Sequence, residues 1–203
     1  MVITDDNRLF IVGQRQVFSE YHPYLYLLDF SDTSIVTCHT SIELSTFNYG
    51  HEAINMNRYT FMSISINERS QKVLVGIPSL DMIVFLTYNV TNYVMISSYH
   101  VLNKTGTGYG KSVALLDNHT YAVLAYELPT LPWSTSQIQV YSLDNIPEND
   151  RPLYVYPNNQ QIIPVINSKP ASPTILTLVS WQKHIGLVLD VGIALILPAS
   201  PPG

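Results

Sequence analysis

The sequence predicts an all-β fold, organised as a β-propeller-like array of about four four-stranded antiparallel blades, the first and last incomplete. Three observations lead there. A short apolar core recurs four times, each time just behind a polar turn. Several of the segments between alternate at period two, as half-buried strands do. No segment sustains a 3.6-residue apolar period over ten or more residues.

The recurring cores are Leu9-Phe10-Ile11-Val12-Gly13, Val73-Leu74-Val75-Gly76, Ala122-Val123-Leu124-Ala125 and Gly186-Leu187-Val188-Leu189. Ahead of them stand Asp5-Asp6-Asn7, Asn67-Glu68-Arg69-Ser70, Asp117-Asn118-His119 and Trp181-Gln182-Lys183-His184. Asp and Asn suit the first three turns because they tolerate left-handed backbone and bond to nearby amides. From Phe10 to Val73, Val123 and Leu187 the steps are 63, 50 and 64 residues, a spacing that belongs to repeat architectures.

In chain order, Val2-Ile3 is a stump of the first unit's opening strand, and the corresponding strands of the later units are Phe61 to Ile66, Ser112 to Leu116 and Thr174 to Val179. The four cores supply the second strands. Third strands fall at Tyr24 to Leu28, Met82 to Tyr88, Ile138 to Tyr141 and Ile193 to Leu197. Fourth strands fall at Ser34 to Leu44, Tyr93 to Val101 and Leu153 to Tyr156. The repeat reads as a four-stranded meander, with units at 1–46, 47–106, 107–159 and 160–203 of a single domain. A stacked β-sandwich, or two barrels, would use the same short strands. The first unit begins mid-strand and the last stops after its third strand. The expectation is therefore either a four-bladed closure or a fragment of a larger ring that needs further blades of a parent chain.

Composition narrows the function classes. The 203 residues are 46% hydrophobic and only 12% charged, which excludes intrinsic disorder. The net charge of −5 argues against nucleic acid as a partner, because phosphate contacts need clustered Lys and Arg. Fourteen tyrosines favour strands over amphipathic helices. Cys38 is the only cysteine, so no intrachain disulfide forms, and it is expected as a small buried or half-buried strand residue. Residues 1–6 have no basic region and no apolar run, so this chain shows no signal peptide. Its most apolar stretch, Ile185 to Leu197, is 13 residues interrupted by Asp190, too short for a membrane helix of ~20, and no membrane insertion is expected.

The units resemble the FG-GAP repeats of integrin-α-type β-propellers. The second unit carries Tyr49-Gly50 and Val75-Gly76-Ile77-Pro78. The third carries Tyr109-Gly110-Lys111-Ser112-Val113-Ala114, Ala125-Tyr126 and Gln139-Val140-Tyr141, and the first keeps Val12-Gly13 and Tyr24-Leu25-Tyr26. The family's Asp-x-Asp-x-Asp-Gly calcium loop is missing from all four units. Calcium takes six to eight oxygens, mostly carboxylate, and the best remnant is Asp5-Asp6-Asn7, so neither metal nor cofactor is expected. The turns are expected to close by Asx hydrogen bonding instead.

Several motifs approach a chemistry and miss it. Thr105-Gly106-Thr107-Gly108-Tyr109-Gly110-Lys111-Ser112 is near a phosphate-binding loop, but its first glycine is one place late and a short apolar run follows where the mechanism needs a helix. The expected role of its glycines is close backbone approach at a crowded corner between blades. His51-Glu52 lacks a second histidine at 55, the six histidines show no ligand spacing, and there is no Gly-x-Ser-x-Gly elbow. Asn89, Asn103 and Asn118 open glycosylation sequons.

The loop from Glu127 to Ser136 is stiffened by Pro129 and Pro132 and carries Trp133, a residue type enriched at binding hot spots. Covering apolar surface at a blade edge is its competing role. The matching loop of the first unit, Gln14 to Pro23, carries Tyr21 and His22. The resemblance implies that Trp133, Tyr109, Tyr49, His51, Tyr21 and His22 line one face. The expected function is a non-enzymatic, extracellular-type or ectodomain segment that binds a protein or glycan. A propeller enzyme of hydrolase or lactonase type, with its site at the central channel, and a purely structural repeat are the alternatives.

Overall fold

The computed structural model describes residues 1–5, 7–18, 20–30, 36–44, 61–89, 95–96, 101–103, 109–117, 119–126, 136–144, 152–156, 175–181, 184–189 and 194–198. These residues are all-β, folded into four small antiparallel sheets, none of them closed on itself. The first sheet runs β1 (Val2–Ile3), β2 (Arg8–Val17), β3 (Glu20–Asp29), β4 (Thr37–Glu43) in that order. The second holds β5 (Ser63–Asn67), β6 (Lys72–Ile77) and β7 (Met82–Tyr88), with β8 (Met95–Ile96) and β9 (Val101–Asn103) both paired to β7. The third is β10 (Ser112–Leu115), β11 (Thr120–Tyr126), β12 (Ser136–Ser142), β13 (Tyr154–Tyr156). The fourth is β14 (Ile175–Trp181), β15 (His184–Leu189), β16 (Ala194–Pro198).

Each sheet is a meander of sequence neighbours, except that β9 returns to pair with β7, and the sheets pack in chain order: β1 and β2 against β5, β5 and β6 against β10, β10 and β11 against β14. Strand alternation explains how one sheet serves two neighbours. On β6 and β7, Val73, Val75, Ile77, Met82, Val84 and Leu86 meet Phe10, Leu25 and Leu27 of the first sheet. Their alternates Leu74, Ile83 and Phe85 meet Val113, Leu115, Tyr121 and Val123 of the third. The second sheet is thus apolar on both faces, which is why Lys72–Tyr88 reads as near-continuous hydrophobic sequence rather than as alternation.

Serines of β5 and β10 add hydrogen bonds across the same seams. Ser65 Oγ accepts the N–H of Leu115 at 2.9 Å, and Ser112 Oγ accepts the N–H of Leu178 at 2.9 Å. Ser63 Oγ donates to the Gly110 carbonyl at 3.0 Å. Gly76 and Gly110 meet at this corner. A Cβ on Gly76 would lie 2.1 Å from the Gly110 oxygen, and Gly110 has φ +88°. The close approach expected of the Gly110 loop is therefore present, and Ser112–Leu115 is strand, so no helix follows Lys111 to hold a phosphate.

Two of the turns close by Asx bonding. Asn67 Oδ1 accepts the N–H of Ser70 at 3.2 Å, and Asp117 Oδ1 accepts the N–H groups of His119 and Thr120 at 2.7 Å each. Three details differ from the sequence reading. The polar segment Gln14 to Pro23, expected as a loop, continues the β2–β3 ribbon out to the Val17↔Glu20 pair and turns at Phe18, φ 55°. The fourth strand of the second sheet is split into β8 and β9, which pair with opposite ends of β7. Cys38 is exposed rather than buried, because β4 forms the edge of its sheet.

Candidate functional site

The sheet packing leaves one face of the first sheet turned away from the second. On β3, Leu25 and Leu27 enter the core, so His22, Tyr24 and Tyr26 stand on the opposite face. The register places Arg15 of β2 beside His22, and Glu43 of β4 beside Tyr24. The rings of Tyr24 and Tyr26 stack at 5.8 Å between centroids, and the Arg15 guanidinium lies over Tyr24, 5.8 Å from its centre. Glu43 ties the cluster together. One of its oxygens lies 2.7 Å from His22 Nδ1, and the other accepts the Tyr24 hydroxyl at 3.0 Å.

These contacts set the protonation chemistry. Desolvation, the hydrogen bond to Glu43 and the Glu43 charge all hold the Tyr24 phenol above its usual pKa, and the charge of Arg15 opposes them. Tyr24 therefore remains a neutral donor. The result is a pre-ordered surface of aromatic rings carrying a cation, a carboxylate and an imidazole.

A second feature lies where the turns before β2 and β6 meet the ends of β10 and β14. A cleft of about 290 Å³ has Ile66, Leu115 and Leu116 at its apolar part, with Asp5, Asn67, Glu68, Arg69 and Ser180 as its polar lining. Glu68 Oε2 accepts the Asp5 N–H at 3.4 Å, linking the first two turns. Among the described residues no group of three or more His, Cys, Asp or Glu is placed to hold a metal, and no helix is long and apolar enough to cross a membrane.

The residues singled out from the sequence separate. His22 lies on the first-sheet face, and its neighbour Tyr21 packs on the opposite side against the core. Tyr109 is 0% exposed, edge-on to Tyr141 at 6.3 Å, because Gly110 turns the chain inward at the corner between the second and third sheets. It belongs to the core rather than to a surface. Trp133, Tyr49 and His51 lie outside the described residues, as does Asn118. Asn89 follows β7 and is half-buried, and Asn103 ends β9. Arg15, Tyr24, Tyr26 and Glu43 were not singled out. The alternation His22-x-Tyr24-x-Tyr26 against Leu25 and Leu27 is the signal that would have found the rings. A scan against protein-family models finds no match to this chain, and a search of curated proteins finds no similar sequence.

Proposed function

We propose that the chain is a non-enzymatic β-propeller-type repeat segment that binds a protein or glycan through the outer face of its first sheet. Support for the propeller comes from the meander order of the sheets, their packing through first and second strands, and a cleft lined by residues of all four units. The four sheets are then its blades. An extracellular or ectodomain setting accords with the sequons at Asn89, Asn103 and Asn118.

The observation that carries the binding reading is the bonded cluster of Arg15, His22, Tyr24, Tyr26 and Glu43. Tyr and Arg are enriched where interfaces concentrate their energy. A tyrosine offers broad amphipathic area with few rotatable bonds, and here its hydroxyl is already fixed, so little ordering remains to be done on binding. A catalytic reading would place Asp5 and Glu68 of the cleft at work. The first-sheet face is the better built of the two, because its groups already hold one another in place.

The test is to screen the immobilised chain against panels of extracellular proteins and glycans, with Tyr24→Ala and Arg15→Ala beside the parent. Hot-spot truncation costs more than about 2 kcal/mol, roughly a thirtyfold weakening. If both variants keep every detected interaction at parental strength, the face is not the binding site.

A further inference from the structure

The cleft between the units is lined by opposite charges that do not neutralise one another. Arg69 supplies a guanidinium, and Asp5 and Glu68 supply carboxylates. No ion pair joins Arg69 to either of them, and among the described residues its side chain has no hydrogen-bond partner. Each charge is carried on a closed turn. Asn67 Oδ1 accepts the Ser70 N–H at 3.2 Å and the Gln71 N–H donates to the Glu68 carbonyl at 3.2 Å, which fixes the segment holding Glu68 and Arg69. Asp5 follows Thr4, whose N–H donates to the Arg8 carbonyl at 2.8 Å and whose Oγ1 accepts the Arg8 N–H at 3.1 Å. The Asp5 N–H on Glu68 Oε2, at 3.4 Å, then holds the two turns side by side. The apolar wall is Ile66, half-buried, with Leu115 and Leu116, both buried, and the Leu116 N–H is tied to the Thr120 carbonyl at 3.0 Å. The backbone of the cleft is thus ordered before a ligand arrives, which lowers the entropy cost of binding one.

We infer that this cleft binds a small zwitterion with an apolar tail, an α-amino acid of the leucine type. The lining sets that class. The planar guanidinium of Arg69 matches a carboxylate, which it can hold through two parallel hydrogen bonds. Asp5 and Glu68 match an ammonium group, and the wall of Ile66, Leu115 and Leu116 matches an aliphatic side chain. Two carboxylates against one guanidinium leave the lining net negative. That balance repels a phosphate or a dicarboxylate and accepts a molecule whose own charges cancel. The volume of about 290 Å³ lies at the bottom of the range of about 300–1,000 Å³ that holds drug-sized ligands, so a single amino acid suits it and an oligosaccharide does not. The cleft shares no residue with the outer face of the first sheet, so this inference stands apart from the binding reading of that face.

The probe is L-leucine, titrated into the full chain by calorimetry, with backbone amide shifts followed by NMR. Leucine is expected to saturate one site with a Kd below about 1 mM and to shift the amides of Asp5, Glu68, Arg69, Leu115 and Leu116. N-acetyl-leucine lacks the ammonium, leucinamide lacks the carboxylate and glycine lacks the tail. Each is expected to bind more than about tenfold more weakly. Arg69→Gln weakens leucine by about the same factor but leaves leucinamide within about twofold, because leucinamide no longer carries the group that Arg69 holds. Glu68→Gln keeps an acceptor for the Asp5 N–H, and in the same way it weakens leucine more than N-acetyl-leucine. No saturation by about 10 mM leucine overturns the inference. So does glycine binding as tightly as leucine, an Arg69→Gln variant that weakens leucine and leucinamide alike, or shifts confined to residues outside the cleft. Should a variant fail to fold, the three analogues decide without it.

Discussion

Gly76→Ala is expected to be among the most damaging methyl additions to the described residues. The added Cβ would sit 2.1 Å from the Gly110 oxygen, 2.9 Å from the Gly110 carbonyl carbon and 2.5 Å from Ser63 Oγ. The first two are backbone atoms and cannot rotate away. To reach an ordinary contact, β6 and the turn before β10 must separate by about 1 Å, far more than a close-packed seam absorbs. Overpacking of this kind costs about 1–3 kcal/mol. The same separation stretches the 3.0 Å bond from Ser63 to Gly110, worth about 1 kcal/mol. The sum is about 3 kcal/mol, which for a chain of this length lowers Tm by about 6–12 °C.

The glycines at 13 and 186 are the internal controls. A Cβ on Gly13 would meet only Tyr26 Cε2 at 3.9 Å, and one on Gly186 would meet the Val179 oxygen at 3.3 Å. Gly13→Ala is expected to hold Tm or raise it, through the smaller entropy of its unfolded chain, and Gly186→Ala to shift it little. Ser63→Ala in the Gly76→Ala background removes one clash of the three and restores little. Differential scanning calorimetry of the four variants decides. Gly76→Ala melting within about 1 °C of the parent, or no higher in cost than Gly13→Ala, would refute the close approach of the second and third sheets.

Further outcomes follow from the hydrogen bonds. Ser65→Ala leaves the buried N–H of Leu115 without its acceptor and is expected to cost about 1–3 kcal/mol in urea unfolding, with faster exchange of that amide. For Asp117, partial burial raises the carboxyl pKa, but the N–H groups of His119 and Thr120 bonded to it outweigh that, so the net shift is downward. A carboxyl lowered in the folded state contributes stability above its unfolded pKa of about 3.9 and loses it as pH falls through the folded value. Asp117→Asn should therefore flatten the acid limb of the stability profile below about pH 4. Tyr24, raised in the folded state, should ionise above the usual tyrosine value of about 10 in an ultraviolet titration, and Glu43→Gln should bring it back towards that value.

Strand positions were legible because each core follows a polar turn. Every segment read as a strand contains one, and the Asx bonds of Asn67 and Asp117 were expected from residue type alone. What the residues could not reveal was depth along the pairing. Gln14-Arg15-Gln16 looks like a loop until Tyr21 and His22 pair with it, since only the partner strand decides whether polar residues continue a ribbon. Glu43 was equally hidden. Its place beside Tyr24 depends on the bulge at His39, and a slip of one residue would have put it on the other face. Tyr109 failed for a different reason. A tyrosine before a glycine looks like a loop aromatic, and the inward turn at Gly110 is set by contact with Gly76, 34 residues away in sequence.

The serines of β5 and β10 carry the lesson about alternation furthest. Met62-Ser63-Ile64-Ser65-Ile66 looks like a strand with one face in the core and one in water. In the structure Ser65 is 9% exposed and Ser112 is 2% exposed. The alternation therefore separates two protein neighbours, not protein from solvent. Ile64 and Ile66 pack into the core shared with the first sheet, while Ser65 turns to the third sheet and accepts a backbone N–H that would otherwise lack an acceptor. Ser112 repeats the arrangement one sheet further on. A hydroxyl is suited to this seam, being small enough for close approach and able to serve an amide without introducing charge. The same geometry accounts for the low charge content of the chain. A sheet with a sheet on either side has little surface where an ion could remain hydrated, and burying an unpaired ion there would cost more than any one strand pairing returns.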